Sequence, residues 1–469
     1  MLTFLDPSEY QNMIFFSWFC FKSSFRKVVV IEEEFTLGEF TQYKDQVVSY
    51  KQFVDFEITD QIMDGLIARM KKQSPGHCCS LVYTSGTTGS PKGVMLSHDN
   101  YTWPAISTAE RLPFKEPNPR FISYLPLSHV AAQCIDIVLS LAMGAHVFFT
   151  DSNALKGTLI DYLLHVKPNI FFGVPRVFEK MEEKAMATLS QKPRIYRWAY
   201  DAGTKGMDLK MKGQDPGFWF KLYDLLVFRT LKKKLGLQNA EYLLFGAAPM
   251  PDHTRKFFFA MSMFLNNCFG MSETAGAASA LQPVDYPDYH LASAGKAIPG
   301  TEITIEKENG EICFFGRHVF MGYLNNEEAT VKALDHSRRL HSGDKGKLDD
   351  KGNMFITGRL KELLVTAGGE NVAPVPVENM VKEQCPFLSN VMLIGDKRKF
   401  ISALLTFRVT SLAMDLPNRE LAPEAVGILE KKGVKGLSTV DEAASNPEVL
   451  KLIQKGKNQK LKDYETKFT

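Results

Sequence analysis

The chain has 469 residues, of which 45% are hydrophobic, 11% aromatic and 23% charged, the profile of a soluble globular protein with a large buried core. Fifty-six Lys and Arg stand against 53 Asp and Glu, so the formal charge of +3 gives no reason to expect nucleic acid as a partner. The seven cysteines are odd in number and lack CxxC spacing, which fits reduced thiols in a cytosolic protein.

The most apolar run near the start, "MIFFSWFCF" (Met13 to Phe21), has nine residues, well short of the roughly 20 that span a bilayer. Asp6 and Glu9 precede it without a basic residue, unlike a signal peptide, and no transmembrane helix is expected. The run is expected in a core, with shallow membrane contact through Phe15, Phe16, Trp18, Phe19 and Phe21 as the alternative.

From about residue 78 strands alternate with helices. "CCSLVYTSG" reads as a buried strand running into glycine turns, and "GVMLSHDNYTWPAISTAERL" as a strand, an Asp99 cap and a helix. "RFISYLP", "AHVFFT", "NIFFGVP" and "EYLLFGAAP" read as further strands. "AAQCIDIVLSLAMG", "ALKGTLIDYLLHVKP" and "RVFEKMEEKAMATL" supply helices between them, and the lysines of "VFRTLKKKLG" read as a solvated helix end. This order predicts an α/β protein, with a large N-terminal domain of parallel sheets covered by helices. After Gly295 the texture changes. "TEITIEKENGEICFFG" and "KLDDKGNMFITGR" read as hairpins, and the stretches beyond Arg359 as a small mobile α+β C-terminal domain. The expected divisions are an unmatched segment at 1–45, a large domain at 46–358 and a small domain at 359–469, with a hinge near Lys361.

"YTSGTTGSPKG", residues 83 to 93, is the stretch richest in chemistry. Its glycines let the backbone approach a ligand closely, its amides and the hydroxyls of Thr84, Ser85, Thr87 and Thr88 donate, and Lys92 adds a point charge. A nucleotide polyphosphate is the natural guest, and a flexible surface linker the alternative. A P-loop is excluded, because Pro91 and Gly93 interrupt the GxxxxGK[ST] pattern. The GxSxG elbow of a serine hydrolase is absent as well.

This loop resembles the signature of the adenylate-forming enzymes, the superfamily of acyl-CoA synthetases, luciferases and peptide-synthetase adenylation domains. "YLPLSHV", "FGAAP", "CFGMSETAG", "LHSGDKGKLDDKG" and "GRLKELLVTAGGENVAP" follow in the order usual for that superfamily, over residues 76 to 408. "GEICFFGRHVFMGYLN", "TAGGENVAPVPVE" and "SNVMLIGDKRKF" most resemble the bubblegum-type long-chain fatty acid–CoA ligases. The resemblance implies ATP-dependent, Mg2+-dependent adenylation of a fatty acid, then thioester formation with coenzyme A and release of AMP and pyrophosphate.

Carried over to this chain, the resemblance implies that Thr84, Ser85, Gly86, Thr87, Thr88, Gly89 and Lys92 cradle the β- and γ-phosphates. Ser272 is expected at the α-phosphate and Glu273 on Mg2+, within a run Phe269, Gly270, Met271, Ser272, Glu273 and Thr274 that lines the nucleotide. Phe269 stands where tyrosine is usual and keeps the stacking face without the hydroxyl. Gly246, Ala247, Ala248 and Pro249 are expected along adenine, Asp344 and Arg359 at the ribose, and His129 between the acyl and thiol channels. Taken singly, Asp344 could be a turn aspartate, Glu273 a helix N-terminal carboxylate and His129 a core histidine. "AQCIDIVLSLAMG" and "NIFFGVPRVF" could line an acyl tunnel or simply fill a core.

Two departures from the pattern stand out. Only 82 residues precede Tyr83, fewer than is usual, and the tail "QKGKNQKLKDYETKFT" lacks the Pro/Gly-rich setting of the adenylation lysine, with Lys460 its faint echo. A truncated or divergent chain is therefore expected. Alternatives to a ligase are a catalytically impaired nucleotide- or acyl-binding relative and a luciferase-like oxygenase. The expected setting is fatty-acid metabolism in the cytoplasm, with peripheral attachment to the endoplasmic reticulum or other membranes as a variant.

Overall fold

Residues 1–74 and 75–469 form two separately packed units in the computed structural model. The structure describes residues 2–5, 27–30, 47–49, 54–55, 57–84, 91–151, 153–189, 193–280, 290–362, 364–365, 371–372, 374–396, 398, 400–411 and 417–454. The apolar run Met13 to Phe21 and Lys460 lie outside these residues. The first unit contains three parallel strands, β1 (Leu2–Leu5), β2 (Lys27–Val30) and β3 (Val47–Ser49), and a helix α1 (Asp60–Lys71). Thr59 caps α1, its hydroxyl accepting from the Ile62 amide.

The second unit opens with an antiparallel pair, β4 (Cys78–Thr84) and β5 (Lys92–Ser97). The expectation of a buried strand at "CCSLVYTSG" fails: Val82 alone in β4 is buried, and Leu81 and Tyr83 are 41% and 63% exposed. The reason is position, because β4 is the edge of a three-stranded sheet whose centre is β5. Helix α2 (His98–Ala109) is capped not by Asp99 but by Ser97. The Ser97 hydroxyl accepts from the Asn100 amide at 3.1 Å, the Asn100 side chain accepts from the Ser97 amide at 2.8 Å, and Asp99 instead pairs with Arg317.

β6 (Arg120–Ser123) and β7 (His146–Phe149) run parallel, linked by α3. That helix is α-helical over Val130–Ala132, widens to π geometry over Gln133–Leu139 and returns to α over Ser140–Met143, closing on left-handed Gly144. α4 (Leu159–Val166) leads to β8 (Ile170–Gly173), then come α5 (Pro175–Leu189) and α6 (Pro193–Met211). α7 follows as Phe218–Tyr223, a π stretch Asp224–Phe228 and Arg229–Lys234. β9 (Tyr242–Phe245), α8 (Asp252–Ala260), β10 (Leu265–Met271) and β11 (Gly276–Ala280) complete this part.

β8, β9 and β10 are parallel neighbours, extended antiparallel by β11 and then β12 (Lys296–Ala297). Buried aromatics Phe171, Phe178, Phe228, Phe245, Phe257 and Phe258 belong to the large core of this layer. Gly203 and Gly206 let the helices interlock there, since a Cβ would come within 1.8 Å of the Ala260 carbonyl oxygen and 2.2 Å of the Phe220 ring, respectively. The lysines expected at a solvated helix end divide: Lys233 and Lys234 are exposed, whereas burial pulls the Lys232 ammonium down to about 8.

An antiparallel sheet follows, ordered β13 (Thr301–Ile305), β14 (Glu311–Gly316), β16 (Leu340–Leu348), β17 (Met354–Arg359). β15 (Gly322–Tyr323) returns to pair with β5, and α9 (Glu327–Ala333) precedes β16. The smaller C-terminal domain contains β18 (Leu364–Val365), β19 (Asn371–Val372), α10 (Pro374–Gln384), the hairpin β20 (Leu388–Ile394) and β21 (Ser402–Phe407), then β22 (Val409–Ser411), β23 (Pro417–Leu421), α11 (Pro423–Lys431) and α12 (Val440–Ser445). It has its own core around Phe387, Leu388, Phe407 and Leu429. Among the described residues no helix is long and apolar enough to cross a membrane, and all six described cysteines are free.

Candidate functional site

The site starts at the β4–β5 hairpin. Thr84 and Lys92 are register partners, so the strands hold together the two ends of the glycine-rich loop. Ser85, Gly86, Thr87, Thr88 and Gly89 lie outside the described residues. Lys92 projects from a strand anchored by fully buried Val94 and Leu96, and its ammonium stands 4.9 Å from the centre of the Tyr323 ring. Tyr323 arrives there because β15 pairs with β5, Tyr323 opposite Val94. Its hydroxyl donates to Glu273 Oε1 at 2.7 Å, and burial together with the Glu273 carboxylate raises its phenol above the ordinary range. Glu273 is buried in the short turn after β10, where its carbonyl accepts from the Phe320 amide at 2.9 Å. Lysine, phenol and carboxylate thus form one connected group. Both Lys92 and Glu273 face a cavity of about 1680 Å³.

The wall next to this group is built by β9 and β10. Gly246, Ala247, Ala248 and Pro249 line the cavity, and Ala247 holds a left-handed φ of 68°. Gly246 has a packing reason for its missing side chain, since a Cβ would meet the Cys268 carbonyl oxygen at 2.7 Å. Phe269, Gly270, Met271 and Ser272 line the same cavity. Phe269 stacks on Phe314 with centroids 5.8 Å apart, and a Cβ on Gly270 would stand 1.8 Å from the Gly276 carbonyl oxygen. Among the described residues expected at the nucleotide, Thr274 is the exception. It is fully buried and does not line the cavity; its hydroxyl accepts from the Met271 amide at 2.9 Å and donates to the Gly276 carbonyl at 2.7 Å. Its work is to fold the turn that carries Glu273.

Asp344 sits inside the nine-residue strand β16, not in a turn. Its register partner is Arg359 on β17, whose Nε is 3.1 Å from Asp344 Oδ1. Burial pushes the Asp344 carboxyl up to about 6, against the opposing pull of Arg359. The loop leading to it is pinned by Glu311, which accepts from the Gly343 amide at 2.7 Å and lies 3.0 Å from His341 Nδ1. Asp344 and Arg359 face the cavity too. So does His129, at an exposed corner, where its Nδ1 accepts from the Ala131 amide at 3.2 Å and caps α3. It is not a core histidine.

Cys134, Ile135 and Leu139 from the π-widened part of α3, with Phe172 from β8, give the cavity an apolar flank. Val375, Asn379, Met380 and Glu383 of α10 line it from the C-terminal domain. Its volume exceeds that of a pocket for one drug-sized ligand, leaving room for a nucleotide and a second substrate. Three participants escape a local reading of the sequence. Tyr323, Glu311 and His341 reach the site through strand pairings that join residues far apart in the chain. Periodicity within one strand cannot reveal such pairings.

Residues 22–324 match the AMP-binding enzyme family and residues 361–432 the AMP-binding enzyme C-terminal domain. The long-chain-fatty-acid–CoA ligase ACSBG2 of Xenopus laevis is 41% identical over 458 residues, 92% of this chain and 61% of that protein. ACSBG2 of Homo sapiens is 40% identical over 83% of this chain and 60% of its own length. ACSBG1 of Rattus norvegicus is 42% identical over 82% and 54%. The chain thus spans only between about half and three fifths of the length of these curated relatives. Among solved structures, the anthranilate CoA ligase AuaEII in complex with anthranoyl-AMP shares the fold at a TM-score of 0.61 and 17% identity, over 92% of this chain and 71% of that one. The o-succinylbenzoate CoA synthetase MenE of Bacillus subtilis, in complex with ATP and magnesium ion, does so at 0.58 and 20%, over 88% and 80%.

Proposed function

The chain belongs to the AMP-binding enzyme family, and on that premise we propose that it is a long-chain fatty acid–CoA ligase. What supports the reading most is one arrangement. A cation and a buried carboxylate meet at one part of a single cavity, an Asp–Arg pair stands at another, and an apolar wall flanks it. These are the three surfaces that a triphosphate, a ribose and a fatty acid require.

In the proposed reaction a fatty-acid carboxylate oxygen attacks the α-phosphorus of ATP, and the bond to pyrophosphate breaks. The thiol of coenzyme A then adds to the acyl carbonyl and AMP leaves. Lys92 and the glycine-rich loop screen the repelling anions, and Ser272 orients the α-phosphate for in-line attack. Asp344 accepts from the ribose hydroxyls, and Arg359 holds Asp344 in place. Phe269 and residues Gly246 to Pro249 fix the base. Glu273, a hard oxygen donor oriented by Tyr323, suits a divalent cation. When bound, Mg2+ neutralises phosphate charge. His129 lies beside the apolar flank, where acyl and thiol must meet, and the α10 residues help exclude water from the mixed anhydride.

The domain division near Lys361 and a cytoplasmic location, free or peripheral to membranes, belong to the same proposal. The test is fatty-acid-dependent exchange of pyrophosphate into ATP, with hydroxylamine trapping of the adenylate across acyl lengths. Exchange and hydroxamate formation with long-chain acids are expected. Nucleotide binding without either product at any chain length would refute the ligase reading and leave a binding protein.

A further inference from the structure

Helices α6 and α7 carry an outward surface that the ligase site does not use. Phe218, Trp219, Leu225 and Leu226 on α7 are 69%, 62%, 59% and 60% exposed, and Trp198 on α6 is 60% exposed. The inner faces of the same helices hold Phe220, Phe228, Leu231 and Met207 in the core, so each helix is apolar on two sides. Gly203 and Gly206 lock α6 against Ala260 of α8 and against Phe220, which fixes the outer faces as one platform. Phe218 and Trp219 meet edge to face at 5.4 Å, and Trp219 stacks with Tyr223 at 6.4 Å, a preformed aromatic cluster.

Charge decides what would cover it. Residues 193–236 hold ten Lys and Arg against four Asp, a net of +6, while the rest of the chain is net −3. Arg194, Arg197, Lys205, Lys210, Lys212, Lys233 and Lys234 within it are all exposed. Exposed Trp, Phe and Leu on helices that also carry exposed lysine and arginine match a bilayer interface with anionic headgroups, where aromatic rings enter the headgroup region and ammonium groups meet phosphate. A second copy of a surface carrying this charge would meet it with repulsion.

We propose that the outer face of α6 and α7 docks the protein on anionic lipid membranes. The inference gives the peripheral membrane location in the proposed function a surface and rests on that part of it; it is measured without ATP or fatty acid, so it and the ligase reading can fail separately.

The test is co-sedimentation of the full chain with vesicles of phosphatidylcholine alone and of phosphatidylcholine with phosphatidylserine, with tryptophan emission as second readout. Binding about tenfold tighter to the anionic vesicles, weakened by salt, and a blue-shifted emission are expected. The double variant Phe218→Ser/Trp219→Ser should lose about tenfold or more of this binding, and Lys233→Glu/Lys234→Glu should lose the preference for phosphatidylserine. All four positions are exposed, so the melting temperature should stay unchanged and report an intact fold. The proposal is overturned by absence of binding to either vesicle, by full binding of both variants, or by a dimer in solution that Phe218→Ser/Trp219→Ser dissolves.

Discussion

Asp344 supplies the sharpest quantitative consequence. Its carboxyl stands at about 6 instead of 3.8, because burial outweighs Arg359 while Glu362 and Glu311 add to the rise. On stability alone the sign is that of a proton held by the fold, present at low pH and lost as pH rises from 3.8 through about 6. Ribose binding, with Asp344 as the proposed acceptor, has the opposite sign, since the hydroxyls would donate to the ionised form. If only that form binds, apparent affinity falls by about tenfold between pH 7 and pH 5. Adenosine is the ligand to use, because it carries the ribose without a phosphate titrating in this window, and calorimetry across pH 5 to 7.5 reads the change. Asp344→Asn removes the titrating group and one of the acceptors. It should weaken adenosine binding by roughly 30-fold, about 2 kcal/mol, and flatten the profile. A wild-type affinity independent of pH, or a slope that survives in Asp344→Asn, would refute the reasoning.

Lys92→Ala should weaken ATP by more than about tenfold and leave adenosine unaffected, because in the proposed reading the ammonium meets the phosphates alone; equal losses for both ligands in calorimetry would remove Lys92 from that role. Tyr323→Phe deletes the 2.7 Å hydrogen bond to Glu273 and should raise the Mg2+ concentration for half-maximal pyrophosphate exchange by about tenfold. An unchanged Mg2+ dependence would mean that Tyr323 does not orient Glu273. Gly203→Ala sets a helix-propensity gain of ~1 kcal/mol against a methyl placed 1.8 Å from the Ala260 carbonyl oxygen, and the clash should win by ~2 kcal/mol. Thermal unfolding of the variant should therefore begin several degrees lower; a melting temperature equal to wild type would contradict the close α6–α8 packing.

The sequence alone determined what is local or ordered along the chain. Alternating strands and helices, the Asn309-Gly310 hairpin, the glycine closing α3 and the succession of motifs are all readable there, since each depends on neighbours a few residues apart. Tertiary structure decided what depends on pairing across distance. "CCSLVYTSG" has a buried strand's composition, but sheet order places β4 at an edge and leaves Tyr83 in solvent. Thr274 carries a motif's hydroxyl, yet the tight turn at Gly276 consumes it. Asp344 could be a turn aspartate by pattern; only the β16–β17 register sets it against Arg359, and its burial there raises its carboxyl. Tyr323 joins Lys92 to Glu273 because β15 crosses back onto β5, over a separation that no local periodicity encodes. Strand register and burial are properties of the folded sheet, and they turn candidate side chains into a site.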